Sequence, residues 1–110
     1  MIKAVIYTEN NKVCGFYIKG HAGQDVYGKD IICAAVSAIV YTALGTLDEL
    51  VEKPAYKEED GEIRFFLKKQ KNDDTAGVSH VILETVRVGL MQIQREYPEY
   101  IEVKIEKGGI

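Results

Sequence analysis

Cysteine, proline and histidine are scarce in this chain, with two of each in 110 residues, and tryptophan is absent. The cysteines, Cys14 and Cys33, are too few for a disulfide scaffold, and a chain of this length buries one core without such staples. Met1-Ile2-Lys3-Ala4-Val5 does not open a signal peptide. The longest apolar segment, Ile31 to Leu44, is shorter than the roughly 20 residues of a membrane span. These absences predict a cytoplasmic protein, away from membranes, with reduced thiols. Cationic excess is also missing. Fourteen Lys and Arg stand against 17 Asp and Glu, a net charge of -3, so no direct nucleic-acid binding is expected. Lys68, Lys69 and Lys71 read as a solvated strand end and turn. Repeats, linkers and low-complexity segments are absent too, which leaves one domain over 1–110.

Period-two alternation predicts a strand over Ile2 to Thr8 and another over Val13 to Lys19. Glu9-Asn10-Asn11-Lys12 between them is a turn, because Asn tolerates left-handed backbone. Cys14 falls in the apolar set Cys14/Phe16/Ile18 and reads as a small buried hydrophobe. A helix follows from Ile31 to Glu52, stopped by Pro54. Its first half has no wide polar face, so it must be covered on more than one side. One side meets a sheet and another needs a second helix or another subunit, which predicts a homodimer through helix 31–52. Ala55 to Glu59 and Ile63 to Lys68 are strands around an Asp60-Gly61 turn. A second helix spans about Thr75 to Glu96, with Asp74 or Thr75 as cap, and ends at Tyr97-Pro98. Ile101 to Glu106 is the last strand. The order β-β-α-β-β-α-β predicts an α+β two-layer domain, a largely antiparallel sheet with both helices on one face.

The chemistry concentrates in one stretch. Gly20, His21, Ala22, Gly23, Gln24, Asp25, Val26, Tyr27, Gly28 and Lys29 form a glycine-punctuated connection into the first helix. Asp30 has the chemistry of an N-cap, which puts Cys33 in the first helical turn. Unpaired amides and the helix dipole favour a thiolate there. His21, as imidazolium, would stabilise that thiolate and later protonate a leaving amine. The amides of Ile32 and Cys33 would offer an oxyanion hole. Asp30 either caps the helix or orients His21 as a third member. Ser37, four residues on, shares the helix face of Cys33 and either bonds near the site or back to its own helix. Gly20, Gly23 and Gly28 let the connection bend, and Asp25 and Tyr27 are either substrate contacts or ordinary loop residues. On composition and spacing alone, a structural cysteine is the leading reading of Cys33. A metal site from His21, Asp25, Asp30 and Cys33 is weaker, since structural zinc prefers four Cys or His ligands. The glycines lack the Lys-Ser/Thr pair of a P-loop. No cofactor is expected. His80 reads as a surface or capping residue.

Gly20-His21-Ala22, followed by Gly28-Lys29-Asp30-Ile31-Ile32-Cys33-Ala34-Ala35-Val36-Ser37, closely resembles the signature of the Prp family of ribosomal-processing cysteine proteases. The match is tight over Gly20 to Ser37 and loose elsewhere. The resemblance implies a cytosolic, homodimeric endopeptidase. It implies removal of the N-terminal extension of large-subunit ribosomal protein twenty-seven, with cutting after a hydrophobic, Phe-containing segment. It puts the catalytic pair at His21 and Cys33, with support from Asp30 and Ser37 and a substrate loop that includes Gly20, Gly23, Asp25, Tyr27 and Gly28. The rival readings are a non-catalytic module bound to a ribosomal protein or an assembling ribosome, and a thiol redox or metal protein.

Overall fold

The computed structural model describes residues 1–20, 27–69 and 73–108. In chain order the elements are β1 (Ile2–Glu9), β2 (Lys12–Lys19), α1 (Tyr27–Leu50), β3 (Tyr56–Glu59), β4 (Glu62–Phe66), α2 (Asp73–Glu96) and β5 (Ile101–Lys107). The five strands form one sheet in the order β3-β4-β2-β1-β5. Three of its pairings are antiparallel, and β1 with β5 is parallel. The α+β architecture and element order match the expectation, and the sheet is mixed only at its β5 edge.

One face of the sheet carries Ile2, Ala4, Ile6, Phe16, Ile18, Phe65 and Ile101. It packs into a single core with Ile32, Val36, Val40, Ala43, Leu44 and Leu47 of α1 and Ile82, Leu83, Val86 and Leu90 of α2. Both helices therefore cover the same face. The core stripe of α1 repeats every three or four residues, as a 3.6-residue helix requires. Each large core side chain, such as the fully buried Phe16, contributes roughly 1.5–3 kcal/mol of transfer free energy. By length and composition, Ile31–Leu50 is apolar enough to cross a membrane, a longer run than the sequence suggested. Its stripe from Ile32 to Leu47 packs into this core, as in a core helix.

The β1–β2 turn follows from its residues, since Asn10 and Asn11 both take positive φ, 54° and 63°, the pair that a tight hairpin turn needs. Beyond it the register slips. Tyr7 faces Gly15 but Thr8 faces Val13, so Cys14 has no partner across the pair. This bulge overturns the expected alternation. Val13 enters the core cluster, whereas Cys14 is buried outside it. The Cys14 carbonyl instead accepts the Leu67 amide at 2.7 Å.

The helix starts also differ from expectation. α1 begins at Tyr27 rather than Ile31 and ends at Leu50 rather than Glu52. α2 begins at Asp73, so Asp74 and Thr75 are its second and third residues rather than its N-cap. His80 Nδ1 lies 2.8 Å from the Val13 carbonyl oxygen. The ring thus ties α2 to the bulged end of β2, a structural role in place of the expected surface or capping one. On α2, Val78, Val81 and Val88 face outward.

Candidate active site

A cleft of about 570 Å³ opens between the N-terminal half of α1 and the β3–β4 hairpin. Its apolar floor comes from Ile2 and Ile18 on the central strands, Ile63 on β4, and Val36 and Val40 on α1. Cys33 and Ser37 line it together, one helical turn apart, as their four-residue spacing requires. Cys33 is half-buried and rests against the core, and Ser37 is exposed. Neither cysteine is in a disulfide.

Gly20 stands where β2 leaves the sheet, at the edge of the same cleft. Its φ is +99°, and a Cβ there would lie 2.5 Å from the Met1 carbonyl oxygen. Only glycine fits that backbone without strain. Its amide donates to the Gly61 carbonyl at 2.9 Å, so the strand exit is fastened to the β3–β4 turn. The next residue is His21. His21, Gly23 and Asp25 lie outside the described residues. Tyr27, Gly28 and Asp30 are described only as the first turn of α1.

That first turn corrects part of the expected chemistry. Asp30 is the fourth residue of the helix and cannot be its N-cap. Cys33 is the seventh, in the second turn. Only the first four amides of a helix lack an intrahelical acceptor. The amides of Ile32 and Cys33 are therefore used by the helix and form no oxyanion hole. Cys33 also lies beyond the first turn, within which the dipole effect falls off. An N-cap-like Asp followed by an apolar run misplaced the start. Gly28, a weak helix former, hid the extra turn before it.

Sequence reasoning missed the far wall of the cleft. The Tyr41 hydroxyl donates a hydrogen bond to a Glu58 carboxylate oxygen, joining α1 to β3. This bond pushes the Tyr41 phenol up to about 12, with burial and the Glu58 charge adding to the shift. On the opposite face of the sheet, the Tyr17 hydroxyl donates to Glu62 at 3.1 Å, and the Arg64 guanidinium sits 4.5 Å over the Tyr17 ring. Tyr41 follows Cys33 and Ser37 at four-residue steps, a signal visible in sequence, but its partner became apparent only in the fold. Among the described residues no group of three or more His, Cys, Asp or Glu is placed to hold a metal ion.

Known proteins resemble the chain over nearly its whole length. The family model for cysteine protease Prp matches residues 1–102. A ribosomal processing cysteine protease Prp from Staphylococcus aureus is 31% identical over 101 residues, spanning 90% of this chain and 92% of the relative. The Bacillus subtilis protein of the same name is 27% identical over 107 residues, spanning 94% and 96%. The crystal structure of the S. aureus protease with a covalently linked product peptide superposes with a TM-score of 0.81 at 29% identity, covering 96% of this chain and all of that one. A Streptococcus mutans protein shares the fold, with a TM-score of 0.87 at 23% identity, covering 98% and 99%. The chain belongs to the Prp family of ribosomal-processing cysteine proteases.

Proposed function

We propose that this protein removes the N-terminal extension of large-subunit ribosomal protein twenty-seven, cutting after a hydrophobic, Phe-containing segment. The observation that carries the reading is the position of Cys33 on a cleft floored by Ile2, Ile18, Ile63, Val36 and Val40. An extended tail fits such a cleft, and an aromatic side chain finds apolar surface next to the thiol. The S. aureus relative has been crystallised with a substrate peptide as well as with a covalently linked product peptide, which supports a peptide in the corresponding cleft.

In the proposed mechanism His21 and Cys33 form the catalytic pair. The Cys33 thiolate attacks the scissile carbonyl to give a tetrahedral intermediate. His21 protonates the departing amine as the C–N bond breaks, leaving a thioester on Cys33. Water, deprotonated by His21, then hydrolyses the thioester and restores the thiol. Asp30, no longer available as a cap, orients His21. Ser37 supplies a hydroxyl beside Cys33. Oxyanion donors come from outside the Ile32–Cys33 turn. Gly23, Asp25, Tyr27 and Gly28, with Gly20 as the anchor, belong to the substrate loop.

The protein acts in the cytoplasm as a homodimer. The outward side of α1, with Ile31, Ala34, Ala38, Thr42 and Gly45, and the outward valines of α2, Val78, Val81 and Val88, supply the apolar and small surface that supports this reading.

The test is cleavage of a peptide that carries the ribosomal-protein extension, followed by mass spectrometry. The expected result is one cut after the Phe-containing segment, abolished in Cys33→Ala and in His21→Ala. Activity that survives Cys33→Ala removes Cys33 as nucleophile. A wild-type protein that binds the peptide but never cuts it favours a binding module. Sedimentation of the wild type at micromolar concentration as a monomer removes the homodimer.

A further inference from the structure

The cleft runs along α1 as a trough. Among the described residues, those of the helix that line it are Cys33, Val36, Ser37, Val40 and Tyr41, the spacing of a single helix face. Cys33 is the first of these along the chain. Tyr41 is the last lining residue on the helix, about 12 Å further along the axis at 1.5 Å per residue. At that end the hydroxyl of Tyr41 reaches across to Glu58 on β3. The register of β3 explains the reach. Glu58 pairs with Ile63, which pairs with Ile18, and Ile18 and Ile63 floor the trough, so Glu58 is in register with the floor. Tyr41 is thus tied to the wall opposite its own helix, and the bond spans the trough where its lining ends.

We infer that Tyr41, tied to Glu58, is a specificity-determining residue that closes the far end of the apolar trough and so limits the size of the substrate side chain seated beside Cys33. The inference rests on the peptidase reading of the same cleft. It adds a residue and a selection rule that the Cys33 chemistry does not need. The raised phenol value keeps Tyr41 a protonated donor through the neutral range. The hairpin does not depend on this bond. Gly20 holds Gly61, Tyr17 holds Glu62, and β4 is paired with β2 along its length. Removing the Tyr41 hydroxyl therefore loosens the end wall and leaves the sheet standing.

The experiment measures kcat/KM for a peptide series carrying Ala, Leu, Phe or 2-naphthylalanine as the large apolar residue before the cut. The proteins are wild type, Tyr41→Phe, Tyr41→Ala, Glu58→Ala and Glu58→Gln. Tyr41→Ala is expected to raise the naphthylalanine-to-leucine ratio by about tenfold, the scale on which hydrophobic pockets discriminate size. Tyr41→Phe and Glu58→Ala are expected to raise it about threefold, through KM rather than kcat. Glu58→Gln keeps a carbonyl acceptor for the hydroxyl and is expected to restore the wild-type ratio. Equal ratios in all five proteins overturn the inference. So does a loss by one common factor on every peptide, which is what a merely structural role gives. The affinities of the same peptides for Cys33→Ala and Cys33→Ala/Tyr41→Ala, read by fluorescence anisotropy, separate the two levels. If the wild type cuts nothing, the peptidase reading falls, and these affinities still decide whether Tyr41 sets the size limit.

Discussion

At the scale of single residues, Gly20 carries the clearest penalty. Its positive φ and the Met1 carbonyl at 2.5 Å leave no room for a side chain, and its amide anchors the strand exit to Gly61. Gly20→Ala is expected to cost at least about 1 kcal/mol of stability. It is also expected to lower kcat/KM, because the displaced backbone leads straight to His21. Thermal denaturation and the peptide assay check the two effects. The cysteines differ in the same way. Cys14 is 5% exposed, whereas Cys33 lines an open cleft. Iodoacetamide under native conditions is expected to add one label, on Cys33, and a second only after denaturation, as peptide mass spectrometry will show.

Cys14 also makes stability depend on pH. Burial raises its thiol above the ordinary 9.0, and the charge of Glu9 adds to this, against a lowering backbone hydrogen bond. The folded chain therefore keeps this proton to higher pH than the unfolded chain does. The stability it provides is complete below pH 9.0 and is lost as pH rises through the raised folded value. The expected outcome is a Tm that falls above pH 9.0, with a shallower fall in Cys14→Ala.

At the scale of elements, the two helices meet where one residue is small. A Cβ on Gly89 of α2 would sit 2.8 Å from Ile39 Cδ1 on α1. Gly89→Ala gains helix propensity but must push Ile39 aside. Overpacking of this kind typically costs about 1–3 kcal/mol. A net loss of Tm is expected, partly recovered in Gly89→Ala/Ile39→Val. Gly15 plays the same part in the sheet, where a Cβ would meet the Phe65 carbonyl at 2.5 Å and the Phe66 ring at 2.8 Å. The Phe66 and Tyr7 rings, with centroids 4.9 Å apart, cover the space that glycine leaves.

The elements were legible in the sequence where local chemistry and tertiary packing agree. The Asn10-Asn11 turn, the alternation of β1 and β5 and the stop at Pro54 all belong to that class. The bulge was not legible, because Val13 and Cys14 are both apolar and a slip between them leaves the alternation looking intact. The start of α1 was not legible either, since Gly28 and Lys29 look like loop and Asp30 looks like a cap. For the site, Cys33 and Ser37 were readable from their four-residue spacing. The trough floor was not, because Ile2, Ile18 and Ile63 come together only through strand pairing. The same holds for Glu58, which is placed against Tyr41 by the register of an edge hairpin.

At the scale of the whole molecule, the fold is divided by chemistry. One sheet face is closed by both helices and holds the core. The other carries the polar and aromatic group of Tyr17, Glu62, Arg64, Tyr7 and Phe66. The outward side of α1 stays apolar and small beyond what the core uses. This is why the composition of one helix suggested a membrane-length segment, a core element and a subunit interface together. Charge substitution separates the last of these. On the proposed homodimer, Ala38→Glu with Val81→Glu is expected to leave a monomer in sedimentation while the circular dichroism of the helices persists.

The parallel pairing of β1 with β5 makes the cleft depend on a distant segment of the chain. β1 pairs with β5 along its length, and Thr8 reaches Glu106 across 98 positions of chain. Contacts this distant in sequence form late and slow the closing of a fold. A chain in which β5 has not yet docked presents β1 with an open edge beside its Ile2 and Ile6 core positions, an invitation to wrong partners. The trough beside Cys33 is built partly on Ile2, which pairs with Ile101, so its floor is not secured until β5 has docked. A truncation that removes β5 is therefore expected to abolish peptide cleavage even though it leaves every site residue in place.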